Sequence, residues 1–132
     1  MKSLHLKIPS LAENIRVVES FIDNARETYK LNDDVYGNIM VAVTESVNNA
    51  IIHGNGLEQS KLVRIDLKKD SKKIAFVVTD DGPGFDYTNL PDPTAPENIL
   101  KLGGRGIFLM RQLADLVIFS GEGSAVELQF KL

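Results

Sequence analysis

The sequence predicts an α+β fold, a two-layer α/β sandwich in which a mixed, mostly antiparallel sheet is covered on one face by helices. Three observations predict it. Short stretches with two-residue alternation occur near the start, in the middle and at the end of the chain; two long stretches with helical spacing separate the first from the second; a shorter helical stretch precedes the last two. The resulting order is β-α-α-β-β, a proline-rich connection, then α-β-β.

Each element follows from local chemistry. Leu4–Ile8 alternates as LHLKI, a short strand, and Pro9-Ser10 ends it. Ser10 with Glu13 has capping-box spacing. Ile15, Val18, Ile22, Ala25 and Tyr29 then recur at helical intervals, so a helix is expected from Leu11 to about Tyr29. Asn32-Asp33-Asp34 is a second helix start. Val35, Ile39, Ala42, Val43, Val47, Ala50 and Ile51 lie along one side of the helix that follows, and Gly54-Asn55-Gly56 is its expected exit. Leu62–Leu67 and Ile74–Thr79 alternate or run apolar around Asp70-Ser71, a hairpin whose more apolar second strand should be central. Lys68, Lys69, Lys72 and Lys73 flank that turn and read as a solvated hairpin. Four of the five prolines, Pro83, Pro91, Pro93 and Pro96, fall between Gly82 and Gly104, and the stretch from about Phe85 to Lys101 has the length of a functional lid. Gly106–Ala114 fits a third helix that buries Ile107, Met110 and Leu113. Leu116–Ser120 and Ala125–Leu132, joined by Gly121-Glu122-Gly123, complete the sheet.

Composition bounds the function. With 132 residues, one domain spanning 1–132 is expected, large enough for a single core. The net charge of −3 gives no footprint for nucleic acid or an anionic membrane, so neither is an expected partner. There are no cysteines and only two histidines, His5 and His53, which removes disulfide scaffolds, thiolate metal sites and cysteine nucleophiles. The N-terminal MKSLHLKIPSL lacks the apolar centre of a signal peptide, and no run is long enough to span a bilayer; a cytoplasmic location is expected.

Three clusters carry chemistry. In TESVNNAIIHGNG, Glu45 and Asn49 stand four apart on one helical face, with His53 a turn further on. A carboxylate one turn from an amide oxygen can orient a hydroxyl and supply an oxygen ligand to Mg²⁺. Taken singly, the pair reads first as a solvated helix face. In VTDDGPGFD an apolar strand runs into Asp80-Asp81-Gly82-Pro83-Gly84, where an aspartate at a strand end can hold an exocyclic amine and glycines admit a ligand close to the backbone. A plain turn accounts for that cluster too. Finally, Gly103-Gly104-Arg105-Gly106 opens a helix, whose first N–H groups suit phosphate; no Gly-Lys-Ser/Thr follows, so this is not a Walker A loop.

The three in this order, around a proline-rich lid, are far more specific than any one of them. The chain resembles the GHKL (Bergerat-fold) ATPases, and within them the anti-sigma-factor serine/threonine kinases of bacterial partner-switching systems. TESVNNAIIHGNG is similar to their N-box, VTDDGPGFD to the first glycine box, LGGRGIFLMRQLAD to the second, and Gly123-Ser124-Ala125-Val126 to the final box. The resemblance implies ATP and Mg²⁺ as cofactors, with Asn49 holding the metal and Glu45 acting as general base. It implies that Asp80 binds the adenine amine, that Gly82 and Gly84 shape the base pocket, and that Gly103, Gly104 and Gly106 face the phosphates with Arg105 adding charge. Ser124 stands where the family often has threonine. His53 follows the family pattern, but helix-end packing is its expected role. The implied partners are a small anti-sigma-factor antagonist, which is phosphorylated, and a sigma factor; a homodimer is also expected. The alternative is a nucleotide-gated binding module with negligible catalysis. Arg16 and Arg26 have no motif-level match and read as a solvated helix face.

Overall fold

The computed structural model describes residues 2–84 and 104–132. The expected lid from Phe85 to Lys101 and Gly103 lie outside the described residues. Alternation in the chain becomes five strands: β1 (Lys2–Pro9), β2 (Leu62–Lys69), β3 (Lys73–Thr79), β4 (Leu116–Ser120) and β5 (Ala125–Lys131). They form one sheet in the order β1-β2-β3-β5-β4. Among the described residues every pairing is antiparallel. The apolar strand β3 is central, as its composition requires of a strand with neighbours on both sides. The hairpin between β2 and β3 turns at Asp70, whose Oδ1 accepts from the N–H groups of Lys72 and Lys73 at 2.8 and 3.0 Å. Those two bonds hold the Asp70 carboxyl below its ordinary range, and the lysines around the turn are its solvated flank.

Period-two alternation puts Val63, Ile65 and Leu67 of β2 on the buried face with Ile74, Phe76 and Val78 of β3 and Leu128 and Phe130 of β5. Phe76 and Phe130 meet edge to face, centroids 6.3 Å apart. On the opposite face, His5 Nδ1 and Asp66 Oδ1 pair across β1 and β2 at 2.6 Å in solvent. Helices α1 (Ile15–Tyr29), α2 (Asp33–Asn49) and α3 (Gly104–Leu113) cover the apolar face. The stripe of α1, Val18, Ile22 and Ala25, is wholly buried in this core, so its apolar character is used within the chain. Arg26 is engaged as well: it pairs with Asp33 at 2.5 Å and lies over the Tyr36 ring at 4.3 Å, tying α1 to α2.

Two local expectations are corrected. Ser10 does not cap α1. Its hydroxyl donates to Lys61 O at 2.7 Å, a short 3₁₀ turn occupies Ala12–Asn14, and α1 begins at Ile15. At the other helix start, Asn32 does cap α2 by accepting from the Val35 N–H at 2.9 Å. The exit of α2 also differs: the helix widens into a π turn over Ala50–Gly54, closed by the Asn55 N–H donating to Ala50 O at 2.8 Å. Asn55 keeps right-handed backbone, and the left-handed positions fall on Gly56 and Leu57, with φ of 59° and 61°.

Candidate functional site

A cavity of about 220 Å³ opens between α2, α3 and the ends of β3 and β5. Its α2 wall carries Ser46, Asn49 and Ala50, with His53 and Gly54 from the π turn. Val78 and Asp80 come from the end of β3, with Gly84 beyond. Ile107 and Met110 come from α3, and Gly123, Ser124, Ala125 and Val126 from the start of β5. Of the residues singled out in the sequence, Asn49, Asp80, Gly84 and Ser124 therefore share one hollow.

Helical spacing puts Glu45 and Asn49 on the side of α2 that faces the opening turn of α3. Gly106 makes that contact possible. A Cβ there would stand 2.9 Å from Asn49 Nδ2, 3.3 Å from its Oδ1 and 3.2 Å from Glu45 Oε2. The absence of a side chain lets the first turn of α3 lie directly on the carboxylate and amide. Asn49 Nδ2 is buried and has no hydrogen-bond partner among the described residues. Gly104 is the first residue of α3 and Arg105 the second.

Asp80 sits at the β3 exit and is held by its surroundings. Its N–H donates to Ser124 O at 2.9 Å, and its Oδ1 accepts from the Gly82 N–H at 2.8 Å. Burial raises its carboxyl above the ordinary range, opposed by the Gly82 bond and assisted by the neighbouring Asp81 charge. Ser124 turns its own hydroxyl to Gly121 O at 2.8 Å. Gly82 is buttressed rather than open: a Cβ on it would fall 1.8 Å from Gly54 O, and one on Gly54 would fall 2.4 Å from the Asp80 carboxylate. Gly54 and Gly82 thus allow the π turn and the Asp80 loop to touch.

Asp81 has a different job from Asp80. It accepts from the Leu62 N–H at 3.0 Å and from Arg64 Nη1 at 2.9 Å, and these bonds lower its pKa. Sequence reasoning missed three contributors. Gly54 and Asn55 were read only as a helix stop, and Ser46 was passed over between Glu45 and Asn49. The signal for Gly54 lay in its position one turn beyond Asn49. His53 lines the cavity while largely exposed, so helix-end packing does not describe it. Among the described residues no group of three or more His, Cys, Asp or Glu could hold a metal ion. Among the same residues no helix is long and apolar enough to cross a membrane.

With this geometry in view, known proteins add a family. The chain is similar to the serine-protein kinase RsbW of Staphylococcus aureus strain bovine RF122 / ET3-1 and of strain MRSA252. Each is 27% identical over 121 residues, which is 86% of this chain and 76% of theirs. It is also similar in fold to a crystal structure of the RsbU and RsbW domains of a Mycobacterium tuberculosis protein, with a TM-score of 0.69 at 13% identity. That match covers 99% of this chain, which spans 31% of the length of the longer one. The family model of the histidine kinase-like ATPase domain matches residues 8–130, and the chain belongs to that family.

Proposed function

We propose that the chain is an ATP-dependent protein serine/threonine kinase acting as an anti-sigma factor, and that it phosphorylates a small anti-sigma-factor antagonist. The single observation that carries the reading is the seating of Gly106 against both Glu45 and Asn49. It brings a carboxylate, an amide and the first turn of a helix together, and that amide, on Asn49, lines the same cavity as Asp80. The kinase names of the Staphylococcus aureus relatives support the same reading.

Phosphoryl transfer asks a protein for positioning and charge neutralisation. The residues present fit a nucleotide with its cation: Asn49 has a buried amide with an unused hydrogen-bonding atom, beside a cradle that any side chain on Gly106 would fill. Asn49 would be the protein ligand of Mg²⁺, and the ion would neutralise charge on the phosphates. Gly103, Gly104 and Gly106 would offer backbone N–H groups to those phosphates, and Arg105 would add charge. Asp80, when ionised, accepts from the exocyclic amine of adenine, while Gly82, Gly84 and Ser124 shape the base pocket. Glu45 accepts the proton of the attacking serine or threonine hydroxyl. Residues 1–132 work as one nucleotide-binding domain, in a cytoplasmic homodimer that also holds a sigma factor and needs neither nucleic acid nor membrane.

The test is transfer of label from the γ-phosphate of ATP to proteins captured by the chain from native lysate. The wild type should label a serine or threonine of one small protein. Glu45→Ala should bind ATP normally and transfer roughly 10²–10⁴-fold more slowly. Transfer by that variant at the wild-type rate rules out Glu45 as the base. Nucleotide binding with no labelled protein favours the gated binding module instead.

A further inference from the structure

Two hydroxyl residues on α2 behave differently. Thr44 Oγ1 donates to Met40 O at 2.6 Å, the ordinary outlet for a hydroxyl inside a helix. Ser46 Oγ makes no hydrogen bond among the described residues, although Ser46 is only 2% exposed. Buried hydroxyls in native proteins nearly always have a protein, water or ligand partner. Among the described residues, the other buried side-chain polar atom without a partner is Asn49 Nδ2, one turn further along α2. Both residues line the same cavity.

The surroundings of Ser46 decide which part of a ligand it meets. It lies on the side of α2 that carries Val43, Val47 and Ala50 into the core, away from the Glu45 side. Much of the remaining cavity wall is apolar, from Val78, Ile107, Met110 and Val126. A triphosphate needs counter-charge or solvent, which these four apolar side chains do not supply. A flat heteroaromatic base needs apolar faces and a few directed bonds at its edge. We infer that Ser46 is a base-contacting residue, its hydroxyl donating to a ring nitrogen of a purine whose exocyclic amine is held by Asp80. The inference rests on the nucleotide site proposed above and adds a contact that the Glu45–Asn49 pattern does not contain.

Calorimetric titration of Mg-ATP, and of the 1-deaza, 3-deaza and 7-deaza analogues that replace one ring nitrogen by C–H, tests it in the wild type and in Ser46→Ala. Alanine suits a helix and removes an unpaired group, so the unliganded variant should melt at or above the wild-type temperature. Its affinity for Mg-ATP should nevertheless fall roughly five- to tenfold. One deaza analogue should lose a similar factor in the wild type and nothing further in the variant. Equal ATP affinity in the two proteins overturns the inference, as does a loss in Ser46→Ala that is the same for every analogue. Absence of Mg-ATP binding by the wild type overturns the nucleotide site itself, and this contact with it.

Discussion

Asn55 holds Asp81 in place: the Asp81 N–H donates to Asn55 Oδ1 at 2.8 Å, across the gap between the π turn and the loop after β3. The same amide donates from Nδ2 to Ser10 Oγ at 2.8 Å and to Leu62 O at 3.0 Å. One side chain, 1% exposed, therefore ties the end of β1, the start of β2 and the loop that carries Asp80. Asn55→Ala leaves the Asp81 N–H and Leu62 O without these partners. The expected loss is about 2–4 kcal/mol in urea unfolding, from several buried hydrogen bonds removed together. An unchanged urea midpoint would show that the amide is not a structural tie.

Gly106→Ala separates helix stability from site geometry. Alanine is favoured over glycine in helices by up to roughly 0.5–1 kcal/mol, which offsets the cost of moving the Asn49 side chain, so the variant should fold and melt close to the wild type. The new methyl nonetheless meets the end of the Asn49 side chain and crowds Glu45. A displaced metal ligand and base should lower transfer on the order of 10²-fold. Normal transfer by a well-folded Gly106→Ala would mean that the close approach has no functional weight.

Burial of Asp80 gives a pH dependence with a definite sign. Its carboxyl titrates above the ordinary range, so just above that range the folded chain keeps a proton the unfolded chain has released. The contribution of Asp80 to stability is therefore fully present below the unfolded pKa and is lost as pH rises through the folded pKa. Adenine recognition runs the other way, because only the ionised carboxylate accepts from the amine without holding its own proton. Mg-ATP affinity should weaken as pH falls through that raised value. Asp80→Asn should bind Mg-ATP roughly 10–10²-fold more weakly at neutral pH and lose this pH dependence. Matched affinity profiles of the two proteins from neutral to mildly acid pH would contradict the assignment.

Most of the fold was legible because it depends on local periods. The alternation of Val63, Ile65 and Leu67 and the spacing of Val18, Ile22 and Ala25 each specify an element and its buried face. The exceptions involve partners distant in sequence. Ser10 looked like a cap because Glu13 is near it, yet its hydroxyl serves Lys61 O, which local pattern does not reveal. The π turn at Ala50–Gly54 has no local mark, and the steric need for Gly54 and Gly82 exists only once the two loops meet. That Asn49, Asp80, Gly84 and Ser124 share one cavity was legible from the order of the three clusters, though each cluster alone has an ordinary structural reading. Ser46 was not, since a serine within an apolar helical side reads as packing until its hydroxyl is seen to lack a partner.

A crystal structure of the chain grown with Mg²⁺ and a non-hydrolysable ATP analogue measures the central claim most directly. The account predicts the base beside Asp80 and the phosphates at the Gly106 turn, with the Asn49 amide oxygen on the metal. Nucleotide bound elsewhere, or Asn49 turned away from the metal and phosphates, would contradict it.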